Sequence, residues 1–377
     1  MNHKLHRLSE YTQVNEQKIV DNAIETVMPS AMANVTNGFG TITVSFNNQY
    51  NDFLNVLGTH KTELAQTVQT NLSQNPGYTG LRNAGVKLAW LYEKADIKMG
   101  GRGSANWSKA ERDEILNSKT GTVLGVEGHH QKNVVAHPEY QANPDNIKFY
   151  KSRQEHLQRG HDGNFQNKSD APFIDKNKML EKTNNHRVAV NEIKGASISA
   201  AIGFGIAFTI SAIVELARVG IPSIEMDDFI CRTLRSGIEG GIVSTAIYGT
   251  GRMVSIWLQN QGVDLLTQMG ALVNFAAVGA VSIVLVSIYQ FIKRRINSVE
   301  TSVALKEVGK QALFSLSVLA VSIMAQGRYG GYAGLIVSTS VGLVVLTWGI
   351  VNTFHQRKLE KCIKQYAIEQ YRALIVL

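Results

Sequence analysis

Five of the ten histidines in the 377-residue sequence fall between His129 and His161, within a segment from Val126 to Asn167 that also holds Asn143, Asn146 and Asn164 and no cysteine. Imidazole is both a common ligand for borderline metals and a general base that works near neutral pH, so the cluster suits metal-assisted hydrolysis. The plainer alternative is a set of solvated histidines in a polar loop. The adjacent pair His129-His130 follows Thr122 to Val126, which alternates like a short strand. Neighbouring side chains on a strand point to opposite faces, so the pair reads as two roles, one ligand and one base.

The elements that would position these residues follow directly. His137-Pro138 and Asn143-Pro144-Asp145-Asn146 mark turns, and Ile147 to Tyr150 is a short apolar run. Ser152 with Glu155 three residues on predicts a capping box and a helix through Arg159. His156 falls on that helix, and His161 falls just past its expected end at Gly160. Strand, turn, strand and helix, with histidine at both ends, can close one metal site.

Three runs, GGRGSANWSKAERDEIL (100–116), GVEGHHQKNVVAHPEYQANPDNIKF (125–149) and RQEHLQRGHDGNFQN (153–167), resemble the GHH branch of the HNH and endonuclease VII superfamily. That branch is best known from nuclease modules of bacterial polymorphic toxins. The resemblance spans roughly residues 85–168 and implies a ββα-metal (His-Me finger) fold that hydrolyses phosphodiester bonds. It makes His129 a metal ligand and His130 the general base. Asn146 would steady the metal loop and the base, and His156 would be the helix ligand. His161 departs from the pattern by lying five residues on, after Gly160, which leaves its place as a third ligand open. A divalent cation is implied, Mg²⁺ first, with Zn²⁺, Ni²⁺ or Mn²⁺ suited to a histidine-rich set. Lys132, Lys148, Lys151, Arg153 and Arg159 could contact DNA phosphates. Residues 85–194 hold 18 Lys and Arg against 14 Asp and Glu, a net of +4, which fits non-specific backbone binding without requiring it.

The remainder of the chain divides by composition. Residues 1–84 read as helices broken near Pro29, Asn37-Gly38 and Pro76-Gly77, with a strand-like stretch at Ile42 to Phe46. Val86 to Ala95 predicts a helix, and Ser108 with Glu111 caps another beside Trp107, a core anchor. Residues 169–194 read as a polar linker. Cys231 and Cys362 are far apart, outside the module, and fit a reducing compartment. The first residues, MNHKLHRLSEYTQVNEQ, contain no apolar core for a signal peptide.

From residue 195 the character changes. Residues 195–214, 268–292, 311–327 and 329–356 contain no Asp, Glu, Lys or Arg, and they predict an all-α transmembrane region over 195–356 with a cytoplasmic helix at 357–377. Their Gly and Ala residues would let helices approach closely or form a homo-oligomer in the bilayer. Ala200-Ala201-Ile202-Gly203 matches Ala276-Ala277-Val278-Gly279 at an offset of 76 residues, which suggests a duplicated helical hairpin. That duplication gives five crossings. However, the positive-inside rule makes Lys293-Arg294-Arg295 and residues 357–364 cytoplasmic, and five crossings would then send the nuclease outside, about 190 polar residues without a signal. Four crossings keep all three inside and leave Ser236 to Leu258 re-entrant or interfacial, which fits Glu239 and Arg252, expensive in lipid. The expectation is therefore an α+β nuclease module on a multi-pass inner-membrane anchor, nuclease cytoplasmic, attacking incoming foreign DNA. A secreted interbacterial toxin with an immunity partner, and a pore protein with a degenerate nuclease, are the alternatives.

Overall fold

The computed structural model describes residues 2–118, 121–219 and 226–375. It is mostly helical with one two-stranded antiparallel sheet. In chain order the elements are α1 (Asn2–Gln74), α2 (Arg82–Lys98), α3 (Lys109–Asn117), β1 (Glu127–His130), β2 (Ile147–Tyr150) and α4 (Arg153–Glu155). After a π-helical turn at His156–Gly160 come α5 (Lys176–Val219), α6 (Met226–Asn260), α7 (Gln268–Ile296), α8 (Thr301–Tyr329) and α9 (Ala333–Ile375). Two compact units result, one from residues 43–191 and one from residues 1–42 with 192–377.

In the 43–191 unit, α2 has two apolar faces. Ala89, Trp90 and Ile97 pack with Trp107, Ile115, Ile147 and Phe149 beneath the sheet. Leu88, Tyr92 and Ala95 face Leu57 of α1 and Leu180 of α5. Trp107 is the core anchor that the sequence predicts, stacked on Trp90 with ring centroids 5.4 Å apart. The Ser108–Glu111 capping box is present in both directions. Residues 176–191, expected as linker, are the first turns of α5 and carry part of this core. Lys176 is fully buried and donates to Glu93 Oε1 at 2.6 Å and Ser104 Oγ at 2.9 Å. Replacing Lys176 with Met should destabilise this unit by about 3–5 kcal/mol, because Glu93 loses its buried countercharge and keeps only the neutral donors of Ser104 and Trp107. Tryptophan-monitored melting of the full chain checks this.

The expected breaks near Pro29 and Asn37-Gly38 and the strand-like 42–46 stretch are corrected, since α1 runs through all three, whereas the break expected at Pro76-Gly77 is found between α1 and α2. Proline removes the N–H that would reach Glu25 O four residues back. The Ser315 hydroxyl occupies that carbonyl instead, at 3.2 Å. A five-residue β-branched alternation is too short to resist a helix continuing from both sides. A second correction concerns residues 122–126, which are irregular; the strand is Glu127–His130 itself, so the histidine pair lies in it rather than after it.

In the other unit, α5, α7, α8 and α9 are long and apolar enough to cross a membrane, over Lys176–Ala217, Gln268–Ile296, Thr301–Tyr329 and Ala333–Tyr366. Helix α9 runs on without a break at 356. Helix α6 is continuous and is not one of the four. Its Glu239 and Arg252 are not lipid-facing as the sequence reading supposed. Arg252 makes a bidentate pair with Glu192 at 2.7 and 2.9 Å, and Glu239 accepts from Lys293 and Tyr289 at 3.0 Å each.

Candidate active site

The register of the sheet explains how the EGHH run is divided. Glu127 opposes Tyr150, Gly128 opposes Phe149, His129 opposes Lys148 and His130 opposes Ile147. Glu127 and His129 therefore share one face, and His130 points from the other. On the first face, His129 Nδ1 lies 3.0 Å from His156 Nε2. His156 Nδ1 bonds Glu127 Oε2 at 2.6 Å.

The segment after β2 brings in the third imidazole. Ser152 caps α4 by accepting from Glu155 N at 3.1 Å, as expected, but the Glu155 carboxylate reaches back to Lys151 N rather than to Ser152 N. The α-helix lasts only three residues and widens into the π turn. A π turn closes from i to i+5, so the five-residue spacing that looked irregular for His156 and His161 is one turn of this backbone. His161 is then held from both sides by Asn167, whose carbonyl lies 2.9 Å from its Nδ1 and whose side-chain amide donates to its carbonyl at 2.8 Å.

His129, His156 and His161 offer ring nitrogens that all lie within 4.8 Å of one another. Two imidazole nitrogens bound at about 2.1 Å to one ion sit about 3 Å apart, close to the His129–His156 separation. The far nitrogens of His156 and His161 are already engaged by Glu127 and Asn167, the usual backing of a metal-ligating imidazole. This donor set fits a divalent ion. Gly160 also belongs to the fit, because a Cβ there would lie 2.8 Å from the His156 ring and 3.2 Å from His129 Nδ1. Gly160→Ala should therefore weaken Ni²⁺ or Zn²⁺ binding about 10–100-fold, as displaced metal surroundings do, with an unchanged circular dichroism spectrum; calorimetry on the full chain reads it.

His129 is buried and its pKa is pushed down to about 3, by burial first and then by the neighbouring imidazoles. It is neutral at physiological pH, as a ligand must be. His130 Nε2 lies 3.2 Å from the carbonyl oxygen of Gln141. That contact makes Nε2 the protonated nitrogen and leaves the Nδ1 lone pair available. Burial pushes the His130 pKa down to about 4, so this imidazole too is unprotonated at neutral pH.

Asn146 touches neither histidine cluster nor solvent. Fully buried, it accepts from Lys132 N at 2.6 Å and donates to the carbonyls of Lys132 and Tyr140 at 3.2 and 3.3 Å, stapling the 131–140 loop to β2. Of the five basic residues expected on phosphate, Lys132 pairs with Asp170, Lys151 with Glu111 at 2.9 Å and Arg159 with Glu155 at 3.0 Å. Lys148 lies over the Tyr150 ring and Arg153 over Phe165. Exposed pairs of this kind contribute little and exchange readily for phosphate. Glu127, which bonds His156, is a candidate site residue to which the sequence reading gives no role. Its signal was present, since it stands two residues before His129 on a strand.

Two strands and a short helix thus present three imidazoles beside a carbonyl-bonded histidine. Residues 78–151 match the family model described as GHH signature containing HNH/Endo VII superfamily nuclease toxin. No curated protein and no solved structure matches the chain. The chain therefore carries a GHH-type nuclease-toxin segment; the match holds His129, His130 and Asn146, and stops before His156 and His161.

Proposed function

We propose that this chain is a membrane-anchored, metal-dependent endonuclease with a ββα-metal centre over residues 85–168. The observation that carries the reading is the convergence of His129, His156 and His161 beside His130, within and just after a segment that matches a nuclease family. His129 and His156 are the ligands, with His161 as the third. His130 takes the proton of the attacking water through Nδ1, while its Nε2 stays on Gln141 O. Glu127 and Asn167 orient His156 and His161, and Asn146 holds the loop that carries Gln141. Lys148, with Lys132, Lys151, Arg153 and Arg159 after exchange of their carboxylate partners, holds the DNA backbone. A divalent ion bound there would polarise the scissile phosphate and stabilise the leaving oxygen.

The ligand set revises the choice of metal. Mg²⁺ prefers oxygen donors, and three imidazoles rank Ni²⁺, Zn²⁺ and Mn²⁺ above it. Nicking of supercoiled plasmid by the purified full chain, with each cation in turn, tests the activity. Absence of nicking with all four cations would sink it.

The biological use has two readings. One is destruction of incoming DNA at the inner face of the bacterial membrane. The other is a toxin delivered to competitors and held in check by an immunity protein. The family match is to nuclease toxins, and this favours the second.

A further inference from the structure

Residues 18–42 of α1 lie in the middle of the helical unit. Val20 and Ala23 pack with Ile210 of α5 and Leu346 of α9. Met28 and Met32 pack with Ile247 of α6 and Val286 of α7, and Ala33 with Phe275 of α7 and Leu319 of α8. A helix enclosed by apolar spans would be expected to be the most apolar of all. This one buries Asp21, Glu25, Thr26, Ser30 and Thr36, and it is not one of the helices apolar enough to cross on its own.

The surrounding helices turn polar groups toward it. Gln311 and Ser315 donate to the carbonyls of Asn22 and Glu25, and Asn274 donates to Asn37 Oδ1 at 3.0 Å. Outward they expose Ile242, Trp257, Leu313 and Trp348. The unit is apolar outside, and inside it sets buried polar groups among apolar clusters. Small polar residues can also serve as plain glue between helices in lipid, but glue pairs its own polar atoms. Here Glu25, Thr36, Asn274, Gln290 and Ser322 each bury a side-chain oxygen that has no partner. Asp21, Glu239, Gln290 and Lys293 also line a cavity of about 30 Å³, room enough for water. Ile24, Met28, Val243 and Val286 share that lining, and the space suits a single water among these polar groups.

We propose that α5 to α9 form the wall of a channel for small inorganic ions and that residues 18–42 are its plug, whose displacement opens the path. This does not depend on the nuclease reading. The contact between Asn37 and Asn274 supplies the test, with Cys231 and Cys362 first replaced by Ser. The full chain is reconstituted into phosphatidylethanolamine–phosphatidylglycerol vesicles and K⁺ efflux is followed. N37D/N274D sets two carboxyl groups against each other at the plug and, at a pH high enough for both to ionise where water reaches them, should raise efflux about tenfold or more over the parent chain by like-charge repulsion. N37C/N274C bridged by a short reducible dithiol cross-linker should fall to the rate of protein-free vesicles and recover on reduction, while each single variant ignores the reagent. A correctly folded N37D/N274D with parental efflux overturns the proposal. Should that variant fail to fold, equal efflux from the bridged and reduced cysteine pair overturns it instead.

Discussion

His130→Ala lowers the rate of plasmid nicking by about 10²–10⁴-fold, the range over which a positioned general base contributes, while the full chain keeps its affinity for Ni²⁺ or Zn²⁺. His129→Ala loses both. The difference follows from the register of β1, in which consecutive side chains leave by opposite faces. His129 meets His156 at 3.0 Å, whereas His130 meets the Gln141 carbonyl and none of the three clustered imidazoles. Removing His130 takes away a proton acceptor and leaves the donor set whole. Removing His129 takes away the one buried imidazole of the three that could hold the ion. Calorimetry and nicking on the same preparations separate the two effects. Equal loss of metal in both variants would show that the division of roles is wrong.

What could be read from the sequence here was what depends on local spacing. The Ser108–Glu111 box, the apolar run that becomes β2 and the division of the histidine pair all rest on contacts within a few residues. The π turn was not legible, because a widened turn differs from an α turn by where it packs and not by composition. For that reason His161 looked one residue out of place. Glu127 was overlooked because its partner, His156, is 29 residues away. Pro29 was read as a helix break because the group that compensates for it, Ser315, is 290 residues from Glu25. In each case the deciding contact is distant in sequence, and propensity cannot register it.

Cysteines placed at Lys194 and at Gln261 will label from the same side of the membrane, and one at Ser298 from the opposite side. All three positions are exposed. The expectation of four crossings keeps the nuclease on the side of both basic clusters and takes support from Glu239 and Arg252, expensive in lipid; both instead point inward onto partners. Helix α6 follows α5 antiparallel along its length: Arg232 reaches Glu215, Ser236 reaches Ala207 O, Ser244 reaches Ser199 O and Arg252 reaches Glu192. At 1.5 Å per residue, the stretch from Glu192 to Glu215 is about 35 Å long, longer than the roughly 30 Å hydrocarbon layer. If α5 crosses, α6 crosses back. The internal repeat agrees. Gly203 abuts Gly240, and a shift of 76 residues carries that pair to Gly279 and Leu316; Gly279 abuts Leu319, one turn on. The α5–α6 hairpin therefore has the register of α7–α8, both of whose helices are long and apolar enough to span. Five crossings put the Lys194 end of the bundle opposite Lys293-Arg294-Arg295 and the basic stretch 357–364. The positive-inside rule would then set those clusters in the cytoplasm and the Lys194 end outside. That favours a delivered toxin over an intracellular guard, because the nuclease segment joins the bundle through residues 42–43 and 191–192. Labelling of Lys194 and Gln261 from opposite sides would restore four crossings and the guard with them.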